Sequence, residues 1–75
     1  MPIVTEIHGH HVRYEEEAHP GVHFIRHSLD GLECGELFKR AKSHSEGAHF
    51  EDHHNRRFVL QHHHDGTYTI EHQRY

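Results

Sequence analysis

Seventy-five residues with 32% hydrophobic content, a mean hydropathy of −1.00 and a formal charge of −4 leave room for one small domain with a thin core. The single cysteine, Cys34, excludes an intramolecular disulfide and a Cys-x-x-Cys site. No apolar run nears the roughly 20 residues of a membrane span, and the absence of net positive charge argues against nucleic acid as a partner.

Histidine is the outlier, at 14 of 75 residues. Fourteen added protons would carry the formal charge from −4 to +10. A swing of that size centres on the ordinary histidine pKa of about 6.5. The amino-terminal stretch MPIVTEIHGHH has no basic segment followed by an apolar one, so no secretion signal is visible and a reducing, cytoplasmic setting is expected.

The first predicted element is a hairpin over Ile3–Tyr14. With His8-Gly9 as a two-residue turn, Ile7 faces His10, Thr5 faces Val12 and Ile3 faces Tyr14. These six side chains share one mostly apolar face. The acidic run Glu15–Glu17 and the Pro20-Gly21 pair then read as a solvated loop. Val22–His27 (VHFIRH) alternates enough to predict a third strand.

Asp30 and Glu33 stand in capping-box positions. From Glu33 to about Ser45 the period becomes helical: Cys34, Leu37, Phe38 and Ala41 form one apolar stripe at i, i+3, i+4 and i+7. Gly47 is placed to stop that helix. Its stripe also predicts that Cys34 is buried as a small hydrophobe rather than exposed as a nucleophile.

Three strands follow. Asp52-His53-His54-Asn55-Arg56 fits a bulged type I turn with Asn55 left-handed, which pairs Phe50 with Phe58, Glu51 with Arg57 and Ala48 with Leu60. Asp65-Gly66-Thr67 specifies the same kind of turn and pairs His63 with Thr67, His62 with Tyr68, Leu60 with Ile70 and Phe58 with His72. Both turns, assigned separately, put Ala48, Phe50, Phe58, Leu60, Tyr68 and Ile70 on one face. The expected architecture is therefore α+β: a small antiparallel sheet in the order β-β-β-α-β-β-β, in a single domain over residues 1–75, with one helix packed across one face.

Neutral imidazole is a ligand for nickel, zinc and copper. The histidines in pairs and triplets, His8, His10, His11, His53, His54, His62, His63 and His64, are the candidate metal ligands. Their spread over many segments favours weak, dispersed sites over one tetrahedral centre. No H-E-x-x-H or zinc-finger spacing is present, and no carboxylate pair stands in a pattern that implies acid–base catalysis. Lys39, Arg40 and Lys42 flank Ala41 on the predicted helix, where solvation accounts for them. Two functions fit. One is a small non-enzymatic interaction module that works through a sheet edge, on a protein partner or a second copy. The other is a histidine-rich protein that binds or buffers divalent transition metals.

Overall fold

The computed structural model describes residues 2–73. In chain order its elements are strands β1 (Ile3–Ile7) and β2 (His10–Tyr14), a 3₁₀ turn over Glu16–Ala18, helices α1 (His19–Ser28) and α2 (Gly31–Ser43), and strands β3 (Ala48–Glu51), β4 (Arg57–His62) and β5 (Tyr68–Gln73).

The turns control the register of both hairpin regions. His8 and Gly9 both take positive φ, 48° and 83°, as a two-residue turn between twisted strands requires. Ile3, Thr5 and Ile7 accordingly pair with Tyr14, Val12 and His10. Asn55 (φ 61°) and Gly66 (φ 88°) close the two bulged turns. Asp52 N donates to the Arg56 carbonyl at 3.1 Å, and His63 N to the Thr67 carbonyl at 2.8 Å. Each predicted cross-strand pair of the last three strands is present, from Ala48 with Leu60 to Phe58 with His72.

α2 follows its sequence signals. Asp30 caps it, accepting from Glu33 N at 2.8 Å, while Glu33 Oε1 accepts from Asp30 N at 3.2 Å. Cys34, Leu37, Phe38 and Ala41 are all buried. The helix ends at Ser43, and Gly47 stands beyond it in a turn, its N–H donating to the His44 carbonyl.

The predicted third strand is a helix. Val22–His27 lies inside α1, and the acidic run before it forms the 3₁₀ turn. A six-residue window satisfies both periods; a longer one does not. Ala18, Val22 and Ile25, at i, i+4 and i+7, are buried, and Leu29 continues the stripe. Pro20 opens the helix, where its missing N–H costs nothing. Gly21 lets the helix come close to the sheet, since a Cβ there would stand 2.8 Å from the Phe58 ring.

The sheet therefore has five strands, in the order β1-β2-β5-β4-β3, with two helices on it rather than one. It is mostly antiparallel, but β2 and β5 run parallel, with Val12 opposite Tyr68 and Tyr14 opposite Ile70. The chain leaves β2 through both helices and re-enters the sheet at the far edge, as β3. Inward residues of all five strands join Val22, Ile25 and the α2 stripe in one core, so the helices cover one face. The other face carries His11, Arg13, His49, Gln61, His63 and Glu71, with Val59 buried among its polar neighbours.

Candidate functional site

The parallel pairing of β2 with β5 decides where the candidate histidines go. It puts the His8-Gly9 turn and the His64–Gly66 turn at the same end of the sheet, and the Asp52–Arg56 turn at the other. His8, His10, His11, His62, His63 and His64 thus share one end, while His53 and His54 stand at the opposite one.

Sharing an end does not bring the six together. His10 lies on the helix-covered face, its ring stacked on Phe38 at 4.4 Å and edge-on to Tyr68 at 5.3 Å. His62 meets Tyr68 from the neighbouring strand at 5.0 Å. His11 and His63 point to the open face, where His63 Nε2 lies 2.9 Å from Thr69 Oγ1. His8 and His64 stand at the two turn tips. Among the described residues, no three histidine, cysteine, aspartate or glutamate side chains are grouped to hold a metal ion.

His53 and His54 have different neighbours. They line a cleft of about 420 Å³ with His19, His23, Phe24, Asp52 and Arg56. His53 hydrogen-bonds Ser28 Oγ at 3.0 Å and sets its ring edge against Phe24 at 5.2 Å. His19 and His23 did not stand out in the sequence, because their helix reads locally as a strand. The helical spacing of Ala18, Val22 and Ile25 was the signal that would have placed them.

Asp52 organises that turn. It is nearly buried, and Oδ1 accepts from His54 N and Arg56 N, both at 2.9 Å, while Oδ2 accepts from Arg56 Nε at 2.7 Å. Burial opposes its charge, but the hydrogen bonds from Arg56 and His54, with the Arg56 charge, hold the carboxyl below its ordinary pKa. The unfolded chain therefore binds the proton more readily. The stabilisation is complete above the ordinary aspartate pKa of about 3.9 and is lost as pH falls through the lower folded value. Asp52→Asn keeps an acceptor for the backbone but loses the ion pair, so it should cost about 1 kcal/mol at pH 7. Urea melts of both proteins from pH 7 to pH 2 should show that gap closing in acid; a gap that stays constant would contradict this role.

Three other groups are shifted. The Thr67 hydroxyl and backbone N–H, donating to Asp65 Oδ1 at 2.6 and 3.0 Å, lower the Asp65 pKa in the last turn. Burial raises the Cys34 thiol, which favours its protonated form. Burial also raises Tyr68.

The remaining feature is the edge at β1. An antiparallel ladder alternates, so the hydrogen-bonded positions Ile3, Thr5 and Ile7 aim their backbone groups at β2. Val4 and Glu6 therefore aim theirs outward. The Glu6 carbonyl accepts from Arg26 Nη2 at 3.2 Å. Val4 is 62% exposed and Ile3 40%, the two large apolar side chains left on the surface of this sheet. At the other edge, β3 presents His49 and Glu51 outward, and Phe50 packs inward on Phe58 at 5.5 Å.

Comparison with known proteins returned no matching family model, no matching curated protein and no matching solved structure. Among the described residues, no helix is long and apolar enough to cross a membrane.

Proposed function

We propose that the protein works as a small non-enzymatic interaction module whose β1 edge accepts an added strand, with a second copy of the same chain as the partner. The observation that carries this is the pairing of outward backbone groups at Val4 with exposed apolar side chains at Ile3 and Val4. Natural sheet edges are usually blunted by charge or covered. β3 follows that rule and the first half of β1 does not.

The sequence of β1 favours one self-complementary register. Centred on Val4, two antiparallel copies would set Val4 against Val4, Ile3 against Thr5, and Glu6 against Pro2. Val4 and Glu6 are the outward-facing positions, so each Val4 would exchange two backbone bonds with its mate. Each Glu6 N–H would donate to the Pro2 carbonyl across the axis. Pro2 has no N–H to return, and the Glu6 carbonyl already takes its bond from Arg26. The one missing donor thus coincides with the one satisfied acceptor. The contact is short, in the range of weak, transient interfaces.

Proline at position 4 tests it. The Val4 N–H points outward, so Val4→Pro removes no bond of the β1–β2 ladder, and proline is tolerated at such edge positions. Sedimentation of the wild type should reveal a weak dimer that Val4→Pro abolishes while its melt stays nearly unchanged. A wild type monomeric up to millimolar concentration, or a Val4→Pro chain that dimerises equally well, would end this proposal.

A second function, weak binding of nickel, zinc or copper at dispersed histidines, draws on the six candidate histidines at one end of the sheet, divided between two faces and two turn tips. That arrangement suits several overlapping one- or two-ligand contacts.

A further inference from the structure

Helix α1 carries His19, His23 and His27 at i, i+4 and i+8. Residues four apart on a helix stand one above the other. The imidazoles of His23 and His27 have centroids 4.3 Å apart with planes inclined at 37°, and both residues are exposed. On the opposite side of the helix, Val22 and Ile25 are buried in the core, so the backbone beneath the pair is fixed.

The neighbours are engaged elsewhere. His19 turns toward Tyr14, whose hydroxyl lies 3.5 Å from its Nδ1, and His53 bonds Ser28. Arg26 falls between the two histidines in sequence but reaches to the Glu6 carbonyl, which draws its positive charge toward β1.

We propose that His23 and His27 form a two-point chelate for a divalent transition-metal ion, with water completing the coordination. Two neutral imidazoles held side by side offer adjacent nitrogen donors, which a tetragonal Cu²⁺ or Ni²⁺ centre accepts at neighbouring positions. Affinity for such donors peaks at Cu²⁺. Protons compete for the same lone pairs, so acid displaces the ion. No third protein ligand is needed, consistent with the absence of any three-donor group among the described residues. Because the ion spans one turn of α1, it binds the folded chain better than the unfolded one and raises the melting temperature. The site involves neither the β1 edge nor any of the eight histidines in pairs and triplets.

The test is titration of the untagged, metal-free chain with substoichiometric Cu²⁺, followed by nuclear magnetic resonance of the histidine rings. Signals of His23 and His27 should broaden first. His27→Ala, an exposed change, should weaken Cu²⁺ binding about tenfold or more as the two-point attachment is lost, and should remove the rise in melting temperature. His44→Ala, at an exposed histidine on the far side of α2 from the candidate ligands in sequence, should leave both nearly intact. Broadening that starts at His62, His63 and His64 or rises evenly over all histidines would overturn the chelate, and so would unchanged Cu²⁺ affinity in His27→Ala.

Discussion

Phe58→Ala should destabilise the domain by about 3–5 kcal/mol, the usual cost of emptying a fully buried aromatic site. Phe58 is at the junction of everything that packs. Its ring stacks with Phe50 at 5.5 Å, meets His72 at 5.2 Å, and lies directly under the backbone of Gly21. None of these neighbours can fill the void alone, because α1 is held by Val22 and Ile25 and the strands by their register. A domain of this size commonly has about 5–10 kcal/mol in total, so the variant should be near the limit of folding. A urea melt within about 1 kcal/mol of the wild type would mean that the core is centred elsewhere.

Gly47→Ala should cost about 3 kcal/mol, far above the ordinary effect of one added methyl group, because two penalties coincide. Gly47 has φ 88°, which side chains with a Cβ rarely adopt. A Cβ would also stand 2.7 Å from the Leu60 carbonyl oxygen and 2.9 Å from atoms of Val59 and Gln61. The first of these is backbone in the central part of β4, which cannot swing aside. Relief would have to come from the link between α2 and β3, pulling Ala48 out of its pairing with Leu60. Thermal melting of the variant, with amide exchange across β3, would measure it; a neutral effect would mean that this link moves freely.

Where the fold was legible in the sequence, the information was local. Asn55 and Gly66 tolerate positive φ, His8-Gly9 supplies it twice, and Asp30 with Glu33 writes a helix start in four residues. Each of these fixes a register or a boundary without reference to the rest of the chain. The α2 stripe was equally clear, because thirteen residues give room for nearly four helical turns.

What was not legible was ambiguous or distant. VHFIRH alternates as well as it winds, and only Ala18 and Leu29, outside that window, reveal the helical phase. The parallel contact of β2 with β5 joins residues such as Val12 and Tyr68 that no turn links. It exists because two helices, rather than one helix and a strand, carry the chain across the sheet. The histidine positions share the same ambiguity. His53 and His54 were visible as a pair, but His19, His23 and His27 gained their alignment only once the segment carrying them was a helix. The β1 edge, by contrast, follows from a hairpin whose register the sequence specifies, and what the fold adds is that, among the described residues, β1 is an end strand of the sheet.

That edge can be tested by amide exchange at Val4 and Glu6, measured by nuclear magnetic resonance across a range of protein concentrations. Their N–H groups point away from β2, so in dilute solution both should exchange as solvent-exposed amides. As concentration rises, strand addition should protect both together, with the same midpoint as the sedimentation isotherm and without change at His49 or Glu51 on β3. Exchange at Val4 that does not depend on concentration, or protection that develops on β3 instead, would contradict the assignment of β1 as the interaction surface.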